Sequence, residues 1–207
     1  MYKGGEYLKS EYDEIYFLHL KQIREKDLGD IMCIALDKIK GLSAEEILNI
    51  TNQQDEIPVN LDVIMDKLRI KRFATSFDEI EKKENKKVSG LVLLNEKDIG
   101  IFYRKNSDLR KKRFIIAHEL GHCCLHGDML EDDYIDFYSE DTIEEEYEKS
   151  ATAFAMRLLI PEQSIQKISS KILKPSIKIL SEIFQVPESL MYKRVTNLNI
   201  VFYPEEE

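Results

Sequence analysis

The 207-residue chain predicts an α+β fold, mainly helical, with a small antiparallel sheet beside one long helix. Three observations carry that expectation. Apolar residues recur at helical spacing along most of the chain, and strand-type runs are few, clustered mainly within residues 70–103. Hydrophobic residues make up 43%, enough for a core that needs no staples. The cysteines, Cys33, Cys123 and Cys124, are odd in number with two adjacent, which does not suit a disulfide framework and fits a reducing, cytoplasmic setting. No apolar run approaches the ~20 residues of a membrane span. The opening Met1-Tyr2-Lys3-Gly4-Gly5-Glu6 lacks the apolar stretch of a secretory signal.

Taken in order, residues 6–26 read as a polar, Tyr-rich helix and 28–40 as a more apolar one, stopped by Gly41. Ser43 with Glu46 forms a capping-box pattern ahead of a short helix over 44–51. The polar run Thr51 to Glu56, then Pro58, is the best domain boundary, giving an N-terminal helical extension (1–57) and a main domain (58–207). Asn60 caps a helix through Leu68, whose Leu61, Ile64, Met65 and Leu68 share one face. Strands are expected over 70–74, 88–94 and 99–103, the last two joined as a hairpin by Asn95-Glu96-Lys97-Asp98. A long helix over 109–126 follows, then an acidic stretch, a helix over 142–160 ended by Pro161, and two or three short helices within 162–197. Ile200-Val201-Phe202-Tyr203 suggests a last strand.

The net charge of −9 argues against nonspecific nucleic-acid binding by the chain as a whole. It is unevenly spread. Asp128 to Glu148 holds eleven carboxylates and no Lys or Arg, whereas Arg104, Lys105, Arg110, Lys111, Lys112 and Arg113 form a basic counterpart. Such runs are solvated surface or a means of steering a charged partner.

The chemistry is concentrated in His118-Glu119-Leu120-Gly121-His122. Two histidines four apart lie about 40° from each other on a helix face, one turn apart, so both imidazoles reach one ion of tetrahedral preference. Glu119, at the edge of that site, is placed to take a proton from the attacking water without being a ligand. Gly121 removes a side chain where another segment packs closely. The flanks, Phe114 to Ala117 and Cys123 to Leu125, are apolar, so the helix is buried and its polar groups need partners that a metal supplies. The pattern points to a zinc metallopeptidase of zincin-like fold.

A third protein ligand is required. His126 continues the series, but His118 and His126 are ~12 Å apart along a straight helix, which leaves His126 as a supporting group or a residue favoured by the helix C-terminus. On the 142–160 helix, Glu144 and Glu148 flank an apolar face, and small Ala151 and Ala155 allow close approach; geometry alone leaves both glutamates open. Tyr134, Tyr138 and Tyr147 are the available oxyanion donors, and the edge of the 88–103 hairpin could align an extended substrate.

Arg113 to His126 resembles the first signature of the ImmA/IrrE metallopeptidase family, and Glu148 to Pro161 resembles its second. Pro58-Val59-Asn60-Leu61 and Val88-Ser89-Gly90 fall where similar elements occur, so the likeness covers about residues 58–197. It implies that Glu148 joins His118 and His122 as metal ligand, that Glu119 is the general base, and that the partner is a helix-turn-helix repressor. Ser150 and Thr152 stand where the pattern usually has Glu and Asn, which alters the groups supporting the ligands. Two other readings are open: a DNA-binding regulator using a helix-turn-helix-like 174–197 with Lys193, Arg194 and Asn197, and a metal-bound sensor that sequesters its repressor without cutting it.

Overall fold

The computed structural model describes residues 36–85, 87–94, 99–127 and 146–204, all within one compact unit, Ile34–Glu207. The 6–26 helix and most of the 28–40 helix lie outside the described residues. The end of the latter is a 3-10 turn, Leu36–Lys38, because Ile39 and Lys40 both donate to the Leu36 carbonyl and Gly41 follows at φ 79.

Helix α1 (Ala44–Thr51) starts with the capping box its sequence predicts. Ser43 Oγ accepts from Glu46 N at 3.2 Å, and Glu46 Oε2 accepts from Ser43 N at 2.8 Å. Helix α2 (Leu61–Leu68) is capped by Asn60, whose Oδ1 accepts from Asp62 N and Val63 N. The Thr51–Pro58 stretch, where the sequence suggests a boundary, lies inside this unit, with Ile47, Leu48, Leu61 and Ile64 in one buried core.

Strands β1 (Lys71–Thr75), β2 (Gly90–Leu94) and β3 (Ile99–Arg104) form a sheet in the order β1-β3-β2. It is mixed, which corrects the wholly antiparallel expectation. β2 and β3 are the antiparallel pair, but β3 runs parallel to β1. The chain leaves β1 through a helix that the sequence reading did not anticipate, α3 (Asp78–Glu84), and the β2–β3 return drops β3 between the other two. Alternation then splits the sheet's side chains. Val92, Ile99 and Ile101 join the main core, whereas Leu91 and Phe102 join Phe77, Val88 and Phe73 in a small cluster against which Ile80 of α3 packs.

The remaining elements are α4 (Leu109–Leu125), α5 (Glu146–Leu159), α6 (Glu162–Ser169), α7 (Ile177–Phe184) and α8 (Glu188–Asn197). α4 packs on β2 and β3, on α2 and most extensively on α5. All ten residues from Ile115 to Cys124 are buried, so the middle of α4 is enclosed on every side. Residues 201–204 form no strand: Tyr203 N donates to Pro175 O, without a ladder.

Gly121 sets the α4–α5 separation. A Cβ there would lie 3.1 Å from Ala151 O and 3.2 Å from both Ala151 Cα and Phe154 Cβ. Exchanging a helical glycine for alanine ordinarily gains up to ~1 kcal/mol. Here a branched side chain would drive into the backbone of α5, and Gly121→Val should lower the unfolding free energy by about 1–3 kcal/mol in urea denaturation. An unchanged midpoint would show that the helices have room to part.

Candidate metal centre

Asp108 fixes the start of α4, its Oδ1 accepting from Lys111 N at 3.0 Å. Arg113 then ties the helix sideways, donating to Gln185 O at 3.1 Å and Val59 O at 2.8 Å. One turn further on, His118 and His122 project into the seam with α5, where Glu148 meets them from its first turn. His118 Nε2 lies 3.0 Å from His122 Nε2 and 3.0 Å from Glu148 Oε2, and His122 Nε2 lies 3.3 Å from Glu148 Oε1. Exposures are 0%, 2% and 6%, so bulk water does not solvate these groups.

Two nitrogens and a carboxylate oxygen converging in this way fit a zinc ion. Ligands about 2.0–2.2 Å from a tetrahedral centre sit roughly 3.3–3.5 Å from one another, close to the separations here. Among the described residues, this is the group of histidine, cysteine and acidic side chains able to share an ion. The protonation tendencies agree. Burial pulls His118 down to about 4, outweighing the opposing effect of Glu148, so its imidazole is neutral at pH 7. Burial would raise the Glu148 carboxyl, but hydrogen bonds with His118 and His122 bring it down to about 2. Cys124, pushed up to about 12 by burial, is an inert core thiol.

A family model for the IrrE N-terminal-like domain, peptidase M78, matches residues 75–196. The chain belongs to that family. No curated protein matches it. In this IrrE-like domain the matched span takes in α4, the whole of α5 and the sheet strands β2 and β3 that back them. Glu144, the other glutamate that spacing left open, lies outside the described residues, as do Tyr134 and Tyr138. Tyr147 is half-exposed, with its ring edge-on to His126 at 5.1 Å.

Glu119 is fully buried on the side of α4 that faces β2. A Cβ on Gly90 would fall 2.3 Å from Glu119 Oε1 and 2.5 Å from Ile115 Cγ2. Gly90 is therefore the residue whose missing side chain makes the slot for this carboxylate. The sequence signal was a glycine opening a strand, where glycine is otherwise disfavoured; it entered the reading only as part of a family likeness. Arg104 holds the approach to Gly90, donating to Val88 O at 2.7 Å while pairing with Glu81, which accepts from Val88 N at 2.7 Å. Neither Arg104 nor Glu81 was singled out for this from sequence, because the pairing depends on α3.

Of the three residues weighed for DNA contact, Lys193 and Asn197 are exposed and Arg194 is buried. Arg194 is 5% exposed, donating to Ile160 O at 3.0 Å, and Leu190, Met191 and Val195 of α8 lie in the core. The pair α7–α8 braces the centre, since Gln185, between them, accepts from Arg113 of α4.

The two titrations predict an acid-sensitive metal-free protein. Between about pH 6.5 and 4 the unfolded chain protonates its histidine while folded His118 stays neutral, so stability falls as pH falls through that window. From 4.5 towards 2, Glu148 removes more in the same direction, its folded carboxyl resisting protonation that the unfolded chain accepts. Metal-free wild type should lose melting temperature from pH 6.5 to 4.5 more steeply than metal-free His118→Gln, as followed by circular dichroism. Parallel slopes would contradict a buried neutral His118.

Proposed function

We propose that the chain is a zinc-dependent endopeptidase that cleaves a helix-turn-helix repressor. The observation that carries the reading is the convergence of His118 Nε2, His122 Nε2 and the Glu148 carboxylate, with Glu119 buried on the same helix, next in sequence to His118. When bound, zinc supplies Lewis acidity, polarising a scissile carbonyl and making water a nucleophile near neutral pH. The protein's own groups do the rest. His118, His122 and Glu148 would hold the ion. Glu119 takes the proton released as water adds to the carbonyl carbon. It then delivers that proton to the amide nitrogen as the C–N bond breaks, so the leaving amine departs neutral.

The choice of a repressor rests on the likeness of residues 113–126 and 148–161 to the two family signatures. It also draws on the contrast between the acidic 128–148 run and the basic 104–113 run, which suits electrostatic selection of a partner. The burial of Arg194 speaks against the DNA-binding alternative. Among the described residues no helix is long and apolar enough to cross a membrane.

Purified protein should carry about one zinc per chain by plasma emission, and His118→Ala, His122→Ala and Glu148→Ala should each remove most of it. Glu119→Gln should keep its zinc while hydrolysis of the repressor falls by on the order of 10² or more. Metal content equal across all these proteins would end the zinc assignment, and full activity in Glu119→Gln would remove it as general base. Mass spectrometry of the repressor should show one or a few discrete cuts that slow as salt is raised. Intact repressor, or broad degradation of casein-like proteins, would contradict the substrate.

A further inference from the structure

A line of hydrogen bonds leads away from the centre through two residues outside the group of candidate ligands. His122 Nδ1 lies 3.0 Å from His126 Nδ1, His126 Nε2 lies 2.9 Å from Ser150 Oγ, and Ser150 Oγ lies 2.8 Å from Tyr147 O. The last atom decides the direction of all the others. A backbone carbonyl only accepts, so the single Ser150 hydroxyl proton points at Tyr147 O. Ser150 Oγ must then accept from His126, which places the His126 proton on Nε2 and leaves Nδ1 bare. Bare Nδ1 accepts from His122, so the proton of His122 sits on Nδ1 and its Nε2 carries the lone pair. That lone pair faces His118 Nε2 at 3.0 Å and a Glu148 oxygen at 3.3 Å, where a metal ion would take the place of the hydrogen bonds these groups share without one.

We propose that Ser150 and His126 are positioning residues that set the tautomer and ring orientation of His122, through a one-way relay anchored on the Tyr147 carbonyl. The proposal rests on the zinc reading of the centre and deepens it. It also gives a use to two residues that spacing left without one: a histidine too far along the helix to share the ion, and a serine where the family pattern usually has glutamate. The Tyr147 ring, edge-on to His126, covers the relay on one side. A parallel contact, Thr152 Oγ1 to His118 Nδ1 at 3.3 Å, shows the neighbouring ligand supported from the same helix. α5 therefore contributes one ligand and the groups that steer the other two. Outer partners of this kind are typically worth about 10–100-fold in metal affinity.

Two readouts test it on the full chain. Zinc competition with a chromophoric chelator should place Ser150→Ala roughly 10-fold weaker than wild type and His126→Phe up to about 100-fold weaker. Ser150→Thr, which keeps the hydroxyl, should recover wild-type affinity, and the double variant should be no weaker than His126→Phe, because the serine acts only through His126. Long-range proton–nitrogen correlation spectra of the histidine rings should show His126 as the Nε2–H tautomer and His122 as Nδ1–H. Wild-type zinc binding with unchanged affinity in both single variants, or a His126 proton on Nδ1, would overturn the relay while leaving the centre standing. Absence of zinc binding by wild type would overturn the centre and the relay with it. If the variants misfold, the tautomers in wild type still decide the matter.

Discussion

The whole arrangement depends on how closely α4 and α5 approach at Gly121 and Ala151. The contact is backbone against backbone, and it brings Glu148 to the two histidines, His118 one turn before Gly121 and His122 directly after it. A Cβ at 121 would lie 3.1–3.2 Å from Ala151 and Phe154, so a larger side chain there would press α5 away from ligands whose distances to a metal hold to a few tenths of an ångström. The enclosure of α4 follows from the same closeness. The ten buried residues of its middle are covered by α5 on one side, the sheet on another and α2 on a third. Three polar ligands in so dry a place would ordinarily be costly. A bound cation turns that cost into affinity, because the same low dielectric strengthens every bond to the ion.

The proposed function adds a second demand, a buried carboxylate at Glu119. The fold meets it with an absent side chain. Gly90 begins β2 at the point where the strand passes Glu119, and Arg104 with Glu81 fixes the Val88 backbone two residues earlier. α3 thereby links the far side of the sheet, through Glu81, to the strand that faces Glu119. The C-terminal helices play a comparable part through Gln185, which anchors Arg113, and through Arg194, which anchors the end of α5 at Ile160.

Much of this was legible in the sequence, for local reasons. Ser43 with Glu46, and Asn60, act within one helical turn, and His118 with His122 need only helical geometry to share an ion. Gly121 and the small Ala151 announced a close helix contact because small residues have few other uses in a buried seam. What stayed hidden was set over longer distances. The α3 stretch Asp78-Glu79-Ile80-Glu81-Lys82-Lys83-Glu84 has almost no apolar periodicity, and its use appears only when Ile80 meets the outer face of the sheet. The parallel pairing of β1 with β3 follows from topology, not from strand composition. Spacing could not choose between Glu144 and Glu148, and the direction of the His126–Ser150 relay becomes readable only once a carbonyl is seen at its end.

The claim on which the rest stands is that His118, His122 and Glu148 form the inner sphere of a zinc ion. X-ray absorption at the zinc edge of the protein as purified reads that sphere directly. The account predicts nitrogen and oxygen scatterers only, at about 2.0–2.2 Å, with the multiple scattering of two imidazoles. A sulfur shell at about 2.3 Å would place the metal on cysteine, and an imidazole count of zero or one would remove it from this helix.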